Sequence, residues 1–476
     1  MNQARNPSRH GPSGEPQREP AGALRAIRRI VVVVLVCVLA AACSPQPRRP
    51  ALTPEAAARA RDAQSACRPA RLRATQRFAA SAIDTGLPDS GQWRDGFVLA
   101  DMNGDSRPDL LVGPARKGAA QPTIFLGDGQ GRFQEWKEVH FPPLPYDYGD
   151  VKAADFNGDG RLDIALSAHL RGLAVLINEG GGHYAPWGHG LVLRLPAESV
   201  LEPVFTSRAL AVTDWNRDGK LDLLALNEGP SRLGGGGITA ALGLWFNRGG
   251  LWDFAKPEQV LNSFGTAIAV GDIDGDGHPD ALIGTSVAGN RLLLQKGDGN
   301  LYRAGELRSV PLAAAVTAVA LHDFDGDGSD EAVTASRAVE NTQFCVSLQA
   351  VRAAGSRKEI PLALWSTVSR DSIAALAIGD IDRDGRDDLV AVREDGGVLT
   401  FAGSGRSFSR DLSLAPIEAM NGCKVFDAQL ADIDADGSLE LIIAYAGEDS
   451  IGDTTPCRGN GGFRAWRLRP VGSDSH

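Results

Sequence analysis

The sequence is short of long apolar stretches, of positive charge and of catalytic signatures. Its sustained apolar run, Ile30–Ala42, has 13 residues, too few for a spanning helix, which needs about 20. Lys and Arg number 49 against 59 Asp and Glu, a net charge of −10, which argues against a phosphate-backbone partner. Neither a G-x-S-x-G elbow nor an H-E-x-x-H zinc helix occurs. His169, His183 and His189 crowd one stretch, but the glycines beside them read as loop positions rather than a metal site. Strings such as GDGDG are not nucleotide loops, because no helix follows them.

What the chain has in plenty is glycine, 56 residues, and aspartate in a fixed pattern. The stretch Ala267–Gly284, AIAVGDIDGDGHPDALIG, sets that pattern. Two alternating apolar runs read as strands, and between them lies a nine-residue acidic loop. Carboxylates at positions one, three, five and nine converge only around a positive charge. Calcium takes six to eight oxygens, and the first half of an EF-hand loop uses the same one-three-five spacing, with glycine at six and a backbone carbonyl at seven.

Seven such loops begin at Asp101, Asp155, Asp214, Asp272, Asp323, Asp380 and Asp432, spaced 54, 59, 58, 51, 57 and 52 residues apart. The expected side-chain ligands are Asp101, Asn103, Asp105 and Asp109 in the first loop, and Asp155, Asn157, Asp159 and Asp163 in the second. The third has Asp214, Asn216, Asp218 and Asp222; the fourth has Asp272, Asp274, Asp276 and Asp280. The fifth has Asp323, Asp325, Asp327 and Glu331, the sixth Asp380, Asp382, Asp384 and Asp388, and the seventh Asp432, Asp434, Asp436 and Glu440. Position seven would add the backbone carbonyls of Arg107, Arg161, Lys220, His278, Ser329, Arg386 and Ser438. Up to seven structural Ca2+ ions are expected. Site one should be weakest, since Ser106 replaces the turn glycine, and sites four to seven strongest, since ligand charge tunes affinity. The alternative is that some loops are metal-free turns held by Asx hydrogen bonds. Residues 1–42 carry +4, so the remainder carries −14, and seven calcium ions would balance it. Asp pairs suited to glycoside hydrolysis remain open, yet calcium accounts for every dense Asp cluster.

A repeat of this length with several strands per unit means a propeller or an array. In unit four the predicted strands are Ala267–Ile273, Asp280–Gly284, Arg291–Gln295 and one from Leu301. A glycine hairpin followed by an aromatic recurs as TIFLGDGQGRF, AVLINEGGGHY, LWFNRGGLWDF and VLTFAGSGRSF. The fold class is therefore all-β: a seven-bladed β-propeller of four-stranded antiparallel blades over 72–470. The last unit has about three strands, Ala428–Ile433, Leu439–Tyr445 and Phe463–Leu468, while Gln76–Ile83 is surplus at the start. The N-terminal strand should close the last blade and hide its edge.

Ahead of the repeats, 1–24 reads as a disordered extension, and Arg25, Arg28 and Arg29 precede the apolar run in the order of a secretory signal, ending at 42. Cys43 after three alanines resembles a bacterial lipobox, with Ala40 where leucine is usual. Plain cleavage after Ala42 and an uncleaved anchor are the alternatives. The stretch 43–71 is a tether with a short helix from Thr53-Pro54-Glu55, and 471–476 is a tail. Export permits disulfides among Cys67, Cys345, Cys423 and Cys457. Cys423 and Cys457 fall on same-face connections of the last blade and are the preferred pair; Cys345 reads as a buried thiol.

The D-x-[DN]-x-D-G-x-x-[DE] loops over Leu72–Pro470 resemble the FG-GAP/VCBS repeats of integrin α-subunit propellers and many bacterial surface proteins. The resemblance implies calcium loops on one face and a ligand face opposite. There Trp93, Asp95, Tyr146, Tyr148, Asp150, Arg208 and Arg370 form a possible mouth for a sugar or peptide. The plainer reading is that they cap blade tops and brace loops. The function expected is a calcium-binding interaction or adhesion module at the bacterial envelope, lipid-anchored to a membrane, periplasmic or secreted, with a protein or glycan ligand and no nucleic acid. A lectin and a polysaccharide lyase or hydrolase are the alternatives; no catalytic residue is assigned.

Overall fold

The computed structural model describes 78–470 apart from 92, 94–95, 115–120, 170, 192–206, 228–241, 256–264, 286–289, 296–301, 306–313, 341–342, 355–357, 404–407, 409–422 and 447–460. The expected signal, Cys43, tether helix and tail lie outside the described residues, as does Asp95. Those described are strand and loop, and no helix among them is long and apolar enough to cross a membrane.

The chain opens with β1 (Phe78–Ile83). Next come β2 (Phe97–Ala100), β3 (Asp109–Val112), β4 (Thr123–Gly127) and β5 (Phe133–Glu135), then β6 (Val151–Ala154), β7 (Asp163–Ala168), β8 (Gly172–Gly180) and β9 (His183–Pro186). The third unit has β10 (Ser207–Thr213), β11 (Asp222–Asn227), β12 (Leu242–Asn247) and β13 (Trp252–Ala255). The fourth has β14 (Gly265–Gly271), β15 (Asp280–Thr285), β16 (Asn290–Gln295) and β17 (Tyr302–Gly305). The fifth has β18 (Ala315–His322), β19 (Glu331–Glu340), β20 (Gln343–Ala354) and β21 (Lys358–Val368). The sixth has β22 (Ile373–Gly379), β23 (Asp388–Arg393) and β24 (Val398–Phe401), and the last has β25 (Lys424–Ala431), β26 (Glu440–Ala446) and β27 (Gly461–Pro470).

Each unit is an antiparallel sheet with its strands in chain order. The first strand of each sheet touches the first strand of the next, and β25 touches β2, so these strands ring a central axis. That is a β-propeller of four-stranded antiparallel blades. The expectation of seven such blades needs a correction. Six sheets have four strands, and β22-β23-β24 has three among the described residues, with an isolated antiparallel bridge between Gly403 and Phe408 beyond it.

Four of the second strands, DLLV, DIALSA, DLLALN and ELIIAYA, are buried from end to end. A strand covered on both faces reads as a continuous apolar run, and here neighbouring blades supply the cover. Leu111, Ile124 and Ile164 share one cluster between the first two blades, and Leu224 and Ile283 share another between the third and fourth. Truncating one such leucine to alanine costs about 2–5 kcal/mol.

Closure uses the expected N-terminal strand. β1 pairs with β27 from Phe78↔Pro470 to Ile83↔Ala465, completing the order β1-β27-β26-β25. Phe97 and Phe125 pack with Ile442 and Phe463 across the same junction. At the axis the Phe97 amide donates to Asp427 Oδ2 at 3.1 Å and the Leu99 amide to Gln429 Oε1 at 3.2 Å. Last blade and first are therefore joined by sheet, core and side-chain hydrogen bonds.

Candidate metal-binding loops and the opposite face

Each acidic loop joins the first and second strands of a blade, and its shape comes from carboxylates accepting backbone N–H groups. In the second loop Asp155 Oδ1 accepts from Gly158 at 2.7 Å and Asp159 at 3.1 Å, and Oδ2 accepts from Gly160 at 2.8 Å. Asp101, Asp272 and Asp323 repeat the arrangement. Wrapping three amides around one carboxylate requires left-handed backbone at positions four and six. Position four is Gly104, Gly158, Gly275 or Gly326, but also Arg217 (φ 59), Arg383 (φ 62) and Ala435 (φ 58). Position six is glycine except for Ser106, at φ 67. A side chain in that region costs roughly 1–2 kcal/mol. Ser106→Gly should therefore raise stability by up to about 1 kcal/mol. The check is the denaturation midpoint, with Gly160→Ser expected to lower it; an unchanged midpoint in both would refute the assignment.

Position three separates the loops into two kinds. Asn103, Asn157 and Asn216 each donate their amide to the carboxylate at position five, at 3.1, 2.9 and 3.2 Å. An arginine meets that same carboxylate from outside: Arg107 on Asp105, Arg161 on Asp159 and Arg248 on Asp218. The other four loops put aspartate at position three. They yield four groups, each with three carboxylate oxygens within 4.8 Å of one another: Asp272–Asp274–Asp276, Asp323–Asp325–Glu331, Asp380–Asp382–Asp388 and Asp432–Asp434–Glu440. Burial, then the charge of Asp276, pushes the Asp274 carboxyl up. An all-oxygen acidic set suits a hard divalent cation.

Position nine has a second role that the spacing did not reveal. Asp163 is fully buried, and its Oδ2 accepts from the Phe156 amide at 2.9 Å while Oδ1 accepts from the Asn178 amide, on the third strand, at 2.8 Å. Asp109, Asp222 and Asp388 bridge loop and third strand in the same way. Burial raises all four carboxyls to about 6, against the pull of those amides. Burial raises Glu440 to about 7. The sequence signal was only the invariable acid; its partner amides are far along the chain.

Neighbouring loops are tied to one another, which places them on one face. Asn178 Nδ2 donates to Met102 O and Asn247 Nδ2 to Phe156 O. Asp272 and Asp330 exchange two hydrogen bonds of 2.7 Å. His322 Nε2 lies 2.7 Å from Asp387 Oδ2, and Arg383 reaches Asp436 and Ser438. The Gly131 amide closes onto Ile433 O at 3.0 Å.

On the opposite face the expected mouth residues are mostly engaged with their neighbours. Trp93 packs on Phe463 at 5.4 Å and Phe125 at 6.1 Å, and its Nε1 donates to Ser90 O. Tyr146 donates to Pro142 O, and Tyr148 stacks on His169 at 4.7 Å. Asp150 pairs with Lys152 at 2.9 Å and accepts from the Leu210 amide of the next blade. Arg370 is exposed and its carbonyl accepts from Arg337; Arg208 sits in β10. Asp427 stands with Asp150 and Lys152 at the axis, and burial, relieved in part by Lys152, raises its carboxyl to about 6. That acid–lysine group was missed because its members are far apart in the chain.

No disulfide joins two described residues. Cys345 and Cys423 are both buried. Cys67 and Cys457 lie outside the described residues.

The sequence matches the family model of the FG-GAP-like repeat over 101–166, 214–283 and 272–334. These segments are FG-GAP-like repeats, and the fold that holds them is a β-propeller. The matched stretches span loops one, two, three, four and five, and the matched model describes a repeat rather than an enzyme. Among curated proteins none matches the sequence. Similar solved structures include BBS1N in complex with ARL6DN, in crystals soaked with lead and with mercury. They are 12% and 10% identical, with TM-scores of 0.46 and 0.47, covering 83% and 82% of this chain and 98% and 97% of that one. Similarity at that level carries no functional argument.

Proposed function

We propose that this FG-GAP propeller is an exported, calcium-stabilised interaction module of the cell envelope. The observation that carries the calcium reading is the loop face, where aspartate at position three gathers three acidic oxygens within 4.8 Å. Calcium would be held there by positions one, three and five with a carbonyl at seven, and position nine would hold the loop to its blade. The ion's part is to neutralise the converged carboxylates and pin the connection in each blade that holds one. In the same reading the propeller has seven blades. The Gly403–Phe408 bridge supports a fourth strand for the sixth unit, and the first strands form a closed ring. Cys43 is the proposed lipidation site, and Cys423–Cys457 the proposed bridge.

The ligand face is assigned to the side away from the loops, around Tyr148, His169 and the Asp150–Lys152–Asp427 group. The test is binding by the mature chain, immobilised with calcium, of purified envelope proteins and of a glycan panel. Binding to a protein that Tyr148→Ala weakens tenfold or more, with the melting temperature unchanged, is the expected result. Binding to glycans alone would replace this reading with a lectin, and polysaccharide turnover would replace it with an enzyme.

A further inference from the structure

Among the described side chains, loop seven differs from loops one to three in what stands inside it. Arg467 of β27 contacts Asp434, and its Nε lies 3.0 Å from Glu440 Oε1 and 3.7 Å from Asp436 Oδ2. Its guanidinium thus meets positions three, five and nine at once. Glu440 is fully buried, and the Arg467 and Asp434 side chains are 21% and 17% exposed. The arginines of loops one to three are 45–53% exposed and meet position five alone. A guanidinium offers five donors and a permanent charge, and it satisfies paired carboxylates in a low-dielectric site.

Strand register explains why this loop ends in glutamate. Glu440 pairs with Arg467 across β26 and β27. One step beyond the recorded pairs, the aspartates at position nine stand opposite Leu126, Ile177, Phe246, Leu294 and Ala402. Glu331, the other glutamate at position nine, stands opposite Arg352. Where the third strand brings an apolar residue, aspartate reaches the backbone amides. Where it brings arginine, the acid is longer by one methylene.

We propose that Arg467 is the resident cation of loop seven: it holds the carboxylates in their converged form and keeps calcium out. The proposal rests on the calcium reading of the other loops, and the two fail separately. Bound calcium per chain is counted by equilibrium dialysis on the full-length mature protein. Arg467→Gln should add one ion to the wild-type count. Asp434→Asn should leave the wild-type count unchanged and should remove the added ion in the Arg467→Gln background. Asp274→Asn in loop four should lower the wild-type count by one, which reports on the calcium reading alone. An unchanged count in folded Arg467→Gln overturns the proposal, as does a loss of one ion on Asp434→Asn in the wild type. If Arg467→Gln does not fold, the wild-type Asp434→Asn arm decides. A wild type that binds no calcium sinks the calcium reading, and Arg467→Gln then supports the proposal by binding one ion or overturns it by binding none.

Discussion

In chelator the melting temperature of this propeller is expected to fall by roughly 10 °C. Each site at about 100 times its Kd contributes about 2.7 kcal/mol by mass action, so three occupied sites, in loops four to six, contribute about 8 kcal/mol. For a domain of this size, unfolding entropy converts 1 kcal/mol into roughly 1 °C. The chelated protein should nonetheless remain folded, because Asp155, Asp272 and Asp323 each hold their loops through backbone amides without an ion. The loss should come mainly from loops four to six, where position three is aspartate and no asparagine side-chain amide donates to the carboxylate at position five, as it does in loops one to three. Asp274→Asn should therefore shrink the calcium-dependent part of the melting shift more than Asn157→Ala does. Identical melting curves with calcium and with chelator would remove calcium from the account of this fold.

The loops and the blade order were legible because they rest on short-range chemistry. Asp272, Asp274, Asp276 and Gly277 lie within six residues, and the apolar runs beside them alternate in plain view. The closing strand was legible by counting, since QRFAASAI had no partner in its own unit and β27 had a free edge. Strand ends were less so. The first strand of unit four ends at Gly271 rather than Ile273. The amides of Asp272 and Ile273 are taken by Asp330 and Asp280 instead of the sheet ladder. Left-handed backbone at position four was hidden because arginine and alanine occupy it as well as glycine. Arg467 was out of reach, since its meaning depends on a register fixed 27 residues away. Trp93 read as a mouth residue because an aromatic between loops looks exposed in one dimension. In three dimensions it fills the junction between the first and last blades.

Asp163→Ala is expected to cost about 3 kcal/mol in chelator, where no metal ligand is at stake. It strands the buried amides of Phe156 and Asn178, each at about 1–3 kcal/mol, and part of that is returned by removing a desolvated charge. Asp159→Ala, at an exposed position in the same loop, should cost under about 0.5 kcal/mol in chelator and act mainly on ion binding. Chemical denaturation of both variants separates the anchor from the ligand. Equal costs would mean that position nine is only another ligand. The pH dependence gives an independent readout. The Asp163 carboxyl is raised to about 6 from 3.8, so the folded state holds its proton more tightly than the unfolded chain. The resulting stabilisation is fully present below about pH 4 and is lost as pH rises through 6. The difference in stability between wild type and Asp163→Asn should therefore move against the wild type over that window in chelator. Calcium, which favours the ionised form, should gain affinity over the same window. A difference that is flat from pH 4 to 7 would mean that the buried carboxyl keeps its ordinary acidity and that the third-strand amides offset the whole cost of burying it.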